Sequence, residues 1–142
     1  MKWISIPKIE EGTVNEDAVN VLGNLVALSD GAGGGGVFAD LWSKYLVGQI
    51  TAEPISDFRS FDQWISDIWE AFYNECETKA KHEGGMLLNK FYDEGSCATF
   101  VAVWKISDSC CQWIAYGDSV AFHYNFHTKK LEYSYCSLAD FD

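Results

Sequence analysis

The chain has 142 residues, 48% of them hydrophobic, with six Trp, seven Tyr and nine Phe, and a formal net charge of −11. That is enough apolar material for one domain burying roughly two-thirds of its unfolded surface, and too acidic a balance for nonspecific binding to nucleic acid or anionic membrane, both of which need cationic patches. No run reaches the ~18 consecutive apolar residues of a membrane span, Met1 to Pro7 is too short for a signal peptide, and five cysteines without a CxxC read as reduced thiols in a cytoplasmic protein.

In chain order, Lys2 to Ile6 alternates apolar and polar residues as a strand does, Ala18 to Leu22 predicts a second strand, and Leu25 to Leu28 a short buried one ending at Ser29-Asp30. After a glycine tract the period changes. Val37, Phe38, Leu41, Trp42, Tyr45, Leu46 and Ile50 recur at helical spacing, predicting an amphipathic helix from near Gly36 to before Pro54. Ser60-x-x-Gln63 has capping-box form, and Phe61, Trp64, Ile65, Ile68, Trp69, Phe72, Tyr73 and Cys76 predict a second, longer helix stopping near Gly84-Gly85. The two form an antiparallel pair. From Cys97 onward the pattern is strands again: Ala98 to Ile106, Gln112 to Tyr116, Val120 to Phe126 and Leu131 to Tyr135, with turns at Ser107-Asp108-Ser109 and His127-Thr128-Lys129. Strands, two helices and then meandering strands make an α+β layered protein, and no repeat or low-complexity linker divides residues 1–142.

Four short segments carry the chemistry: Asn15-Glu16-Asp17, Ser29-Asp30-Gly31-Ala32-Gly33-Gly34, Gly95-Ser96-Cys97-Ala98-Thr99 and Gly117-Asp118-Ser119. An acidic pair followed by an apolar run that breaks on Asp-Gly presents carboxylates at strand ends, beside a backbone that lets ions approach closely. Hard cations suit such oxygen donors. In this order the four segments resemble the metal-dependent serine/threonine protein phosphatase family of type 2C, whose N-terminal half runs through NED or NQD, SDG-x-GG, GSTA and GDS. The resemblance runs from Asn15 to Ser119. It implies the N-terminal half of a helix-sheet-sheet-helix (αββα) sandwich, with an antiparallel helix pair on a mostly antiparallel sheet. The family's catalytic domain is longer, roughly 250 residues, and its later motifs, a second Asp-Gly and an Asp-Asn, have no counterpart here, so residues 1–142 read as the N-terminal part of one such domain.

The resemblance also implies roles. Asp30 matches the aspartate that bridges two Mg²⁺ or Mn²⁺ ions, Gly31 lends its carbonyl oxygen to one of them, Glu16 holds that ion directly or through a water, and Asp17 supports from behind. Two hard cations about 3.5–4 Å apart need a shared anionic donor and turn a water between them into a nucleophile near neutral pH. In the complete domain that water hydrolyses phosphoserine or phosphothreonine of a phosphoprotein, with no covalent intermediate, so Ser96 and Cys97 are packing residues. Asp118 matches a position associated with a third, weaker metal; an Asp after Gly is equally an ordinary turn residue. A chain that ends half-way through the sandwich is expected to expose sheet edges and an apolar face rich in aromatics, and so to self-associate or to pair with the missing C-terminal half.

Two positions depart from the family pattern. Gly12 stands where many members grip phosphate with an arginine; the sole arginine, Arg59, falls between the predicted helices, and Lys8 offers only a point charge. Ala32 follows Asp-Gly where a His can serve as general acid, leaving that proton to a metal-bound water. These departures leave open a catalytically degenerate phosphopeptide-binding or regulatory module. A third reading takes Gly31 to Gly36 as a GxGxxG nucleotide loop; Asp30 facing a pyrophosphate, and the lack of a following Lys-Ser or Lys-Thr, count against it. His123 and His127 lie about 13 Å apart along a strand, too far to chelate one ion.

Overall fold

A computed structural model describes residues 14–32, 34 and 36–133. The strand expected over Lys2 to Ile6, together with Lys8, Gly12, Gly33, Gly35 and the end of the last expected strand at Tyr135, lies outside the described residues. The elements run β1 (Asp17–Leu22), β2 (Leu25–Asp30), α1 (Ala39–Gln49), α2 (Phe58–Glu83), α3 (Gly85–Glu94), β3 (Phe100–Lys105), β4 (Cys111–Tyr116), β5 (Phe122–Asn125) and β6 (Lys130–Tyr133). β1 to β4 form one antiparallel sheet in chain order, and β5 and β6 a separate two-stranded one. The α+β class with an antiparallel sheet is as expected.

The β1–β2 hairpin sets the register of everything near the site. Gly23 adopts φ 58°, the left-handed conformation that glycine reaches without steric cost, and with Asn24 makes a two-residue turn placing Leu22 opposite Leu25. Counting outward from that turn pairs Asp17 with Asp30. Side chains alternate between faces. Leu25, Ala27, Phe100, Ala102, Trp104 and Ile114 face the helices and are buried, joined by Leu46 and Val47 of α1, by Ile50 just after it and by Phe61 of α2. A fully buried side chain of Phe or Leu size contributes about 1.5–3 kcal/mol, so this cluster is the main cohesive element. Two polar groups entering it are paired: the Trp104 indole N–H donates to the Thr51 carbonyl at 3.0 Å and the Asn20 amide to the Val47 carbonyl at 2.7 Å, whereas the indole N–H of Trp64, packed against the same cluster, is buried without a hydrogen-bond acceptor among the described residues.

α1 and α2 run antiparallel, since Leu46 late in α1 and Ile50 just after it share a cluster with Phe61 early in α2, while the Trp42 ring lies tilted against Phe72 further along. The α2 start differs from expectation. Asp57, not Ser60, is the cap: its carboxylate accepts the Ser60 N–H at 2.8 Å, so Ser60 lies within the first turn and Arg59 is helical rather than in a loop. α2 ends at Gly84, φ 122°, with Lys81 and His82 in its last turn, where cations suit the dipole. α3 was not anticipated. Gly84 closes α2 and opens α3 at once, and α3 returns Phe91 onto Phe72, Cys76 and Ala80 of α2 in a second buried cluster.

The sheet's other face carries Val19, Val21, Val26, Leu28, Val101, Val103, Trp113 and Ala115, with Val21 and Leu28 exposed. The expected apolar face is present, and it is mostly β-branched rather than aromatic. Over one border His123 of β5 meets the Trp113 ring edge-on, and the hairpin's opposite side exposes Phe122, Tyr124, Leu131 and Tyr133.

Candidate functional site

Because β1 to β4 alternate in direction, the start of β1, the end of β2, the start of β3 and the end of β4 share one end of the sheet. All four motifs lie there. Asn15-Glu16-Asp17 enters β1, Asp30-Gly31 leaves β2, Ala98-Thr99 precedes β3 and Gly117-Asp118-Ser119 leaves β4. Segments up to a hundred residues apart in sequence are thus brought onto one rim by sheet order.

The rim is tied together through backbone. Gly31 N–H donates to the Glu16 carbonyl at 3.1 Å, Thr99 N–H to the Asp30 carbonyl at 2.8 Å, and Ala32 N–H to the Cys97 carbonyl at 2.9 Å. Since Glu16 and Gly31 form a hydrogen-bonded pair, the neighbouring Asp17–Asp30 pair is the non-hydrogen-bonded kind, in which side chains stand closest. Both aspartates project from the open face of the sheet and are exposed. Glu16 stands across from Gly31, and its carbonyl also accepts the hydroxyl of the buried Ser43 of α1. Asp118 sits exposed in the turn after Gly117, φ 81°.

Hydroxyls brace this end. Ser29 donates to the Thr99 carbonyl at 2.6 Å, Thr99 Oγ1 and Ser119 Oγ share a proton-bearing contact at 2.5 Å, and Ser96 donates to the Val37 carbonyl at the entry to α1. Ser96 is therefore a packing residue, as expected; the Ser29, Thr99 and Ser119 bracing was not read from the sequence, where small hydroxylated residues give no pairing signal. Gly31 is obligatory in this packing: a Cβ there would lie 2.6 Å from the Ala39 carbonyl oxygen and 2.9 Å from that of Glu16. Gly36 is similar, with the Gly95 carbonyl oxygen 2.9 Å away. The close approach is thus spent on α1 and β3. α1 starts at Phe38, φ 58°, with no side-chain cap.

The donors at this rim are oxygens, the chemistry hard cations take. Among the described residues no group of three or more His, Cys, Asp or Glu side chains converges as a metal cage would. His123 instead contacts Glu132 at 3.2 Å across the β5–β6 pair, and His127 sits in the intervening turn. Arg59 lies exposed in the first turn of α2. No helix among the described residues is long and apolar enough to cross a membrane.

No family model matches the chain, and no curated protein matches it in sequence. Among solved structures it is similar to the crystal structure of the serine/threonine phosphatase Stp1 from Staphylococcus aureus, at 18% identity and a TM-score of 0.51, over 94% of this chain and 56% of that one. The likeness is one of fold, and the chain spans little more than half the length of that protein.

Proposed function

We propose that this chain is the N-terminal part of a phosphatase-like domain that, when complete, hydrolyses phosphoserine and phosphothreonine in proteins with two Mg²⁺ or Mn²⁺ ions. One observation carries the reading: four motifs of phosphatase type meet on one sheet rim, in a fold similar to that of a serine/threonine phosphatase. Asp30 would bridge the ions, the Gly31 carbonyl would hold one of them together with Glu16, directly or through a water, Asp17 would support Asp30 from directly across the ladder, and Asp118 would offer a third, weaker site. When bound, such ions supply an activated water and local positive charge, which a chain of net charge −11 otherwise lacks near a phosphate. The chain's own contribution is positional. The Asp30 carbonyl is fixed by Thr99 and the Gly31 N–H by Glu16, which hold the aspartate's backbone at the strand end.

A non-catalytic phosphopeptide-binding or regulatory module is the second reading, favoured by Ala32 after Asp-Gly and by the sole arginine standing on α2. Calorimetry with Mn²⁺ tests the assignment. The 142-residue chain should bind weakly, and Asp30→Asn should abolish that binding while the fold, read by circular dichroism, persists. Tight stoichiometric binding by this chain alone, or binding indifferent to Asp30→Asn, refutes Asp30 as the bridging ligand. Phosphopeptide hydrolysis by a domain carrying the remaining motifs separates enzyme from binding module.

A further inference from the structure

We propose that a second copy of this chain adds across the outer edge of β1, joining two four-stranded sheets into one of eight strands with the two α1 helices side by side. Among the described residues β1 pairs only with β2. Glu16 bonds inward to Gly31, so by alternation Val19 and Val21 turn their backbone N–H and C=O groups outward. The strand has no Pro, no Lys and an unbroken register without a bulge, and its one charged residue, Asp17, stands at its first position.

Beside that edge runs a groove of about 490 Å³, walled by Asn15, Asp17, Ala18, Val19 and Asn20 on one side, so that one end opens onto the rim, and by Lys44, Val47 and Gly48 of α1 on the other. Gly48 is inside a helix, where glycine costs up to ~1 kcal/mol relative to alanine, yet a Cβ there would meet nothing within 4 Å. Internal packing does not require it. The absent side chain keeps the groove open.

The occupant must fill two layers, the strand layer beside β1 and the helix layer beside α1. A lone peptide strand fills only the first. A second copy fills both at the right spacing, because α1 packs over β1 and β2, and a two-fold axis at a strand spacing of about 4.8 Å sets the two α1 axes about 10 Å apart, the ordinary distance of packed helices. The edge is self-complementary under that axis, as an isologous interface requires. Charge opposes it, since each chain carries −11, so association should tighten as salt screens the repulsion.

Sedimentation equilibrium of the 142-residue chain at concentrations on the order of 100 µM, in low and high NaCl, tests this. The expected result is a mass twice 15.9 kDa, strengthened by salt, with amide exchange at Val19 and Val21 slowing as concentration rises. Gly48→Phe, which fills the groove, and Val19→Pro, which removes an outward donor, should each weaken dimerisation at least about tenfold with unchanged far-ultraviolet circular dichroism. A monomer at every concentration overturns the proposal. So does a dimer indifferent to both substitutions, or protection of Val19 and Val21 that does not depend on concentration, which would put a segment of the same chain on that edge.

Discussion

Gly31→Ala is the sharpest test of how the rim is built. The added methyl carbon would stand 2.6 Å from the Ala39 carbonyl oxygen, 2.8 Å from its carbon and 2.9 Å from the Glu16 carbonyl oxygen. All three are backbone atoms, held by the hydrogen bonds of α1 and by the Gly31–Glu16 bond, so no side chain can swing aside to make room. Overpacking of this kind costs about 1–3 kcal/mol, which in a domain of this size lowers the melting temperature by roughly 3–10 °C. Two matched substitutions serve as references. Gly34→Ala meets open space and should stay within about 0.5 kcal/mol of the parent. Gly48→Ala also meets open space, on a helix, and should stabilise by about 0.5–1 kcal/mol. Thermal and urea denaturation followed by circular dichroism give the order directly. A Gly31→Ala protein as stable as the parent would mean that Ala39 and Glu16 are not held where the packing puts them, and the account of the rim would fall with it.

Asp57 gives a pH-dependent counterpart: the Ser60 N–H, then the Ser60 hydroxyl, hold its carboxyl below the usual aspartate range, so its stabilising effect is present above the unfolded-state value and is lost as pH falls through the folded one. Asp57→Ala should therefore lower the melting temperature at neutral pH, with the gap closing in acid as the Asp57 carboxyl takes up its proton; a gap independent of pH would show that the cap acts without its charge. Cys76 is pushed up to about 11, chiefly by burial and then by the Glu75 charge, so a thiol reagent near pH 8 should label exposed Cys97, Cys110 and Cys111 in the native protein but reach Cys76 only on unfolding. Peptide mapping of the labelled protein decides it, and native labelling of Cys76 would contradict its packing against Phe72 and Ala80. Phe100→Ala, in the buried cluster between sheet and helices, should cost about 3–5 kcal/mol; a denaturation midpoint close to the parent's would mean that the sheet and helices cohere elsewhere.

What was legible in the sequence depended on how local its cause was. The spacing of Val37 to Ile50 and of Phe61 to Cys76 reveals α1 and α2 because a helix face is written within a dozen residues. The α2 cap was misread because Asp57 and Ser60 both begin plausible caps, and only the backbone direction at Asp57, extended before the first turn, separates them. α3 was hidden because Gly84-Gly85 reads as a stop, whereas Gly84 at φ 122° ends one helix and starts another. The four motifs are visible in order, but their meeting on one rim depends on β2 pairing with β3 across some seventy residues, a contact with no local signature. The opposition of Asp17 and Asp30 was within reach, since the two-residue turn at Gly23-Asn24 determines every pair outward from it. Bracing by Ser29, Thr99 and Ser119 was not, since nothing local distinguishes a paired hydroxyl from a solvated one.

The position of β2 also shapes the order in which the molecule assembles. Its pairing with β1 closes a two-residue turn, an event of microseconds, whereas its pairing with β3 closes a loop containing all three helices. The loop-closure entropy of that second step must be met before its contacts reward it. The hairpin is therefore expected to wait, half-paired, while α1 and α2 collapse onto its Leu25 and Ala27 face and α3 onto α2, with β3 docking late. Residues at the β2–β3 seam, such as Ala27 opposite Ala102, should accordingly alter the unfolding rate more than the folding rate, and those in the β1–β2 turn the reverse.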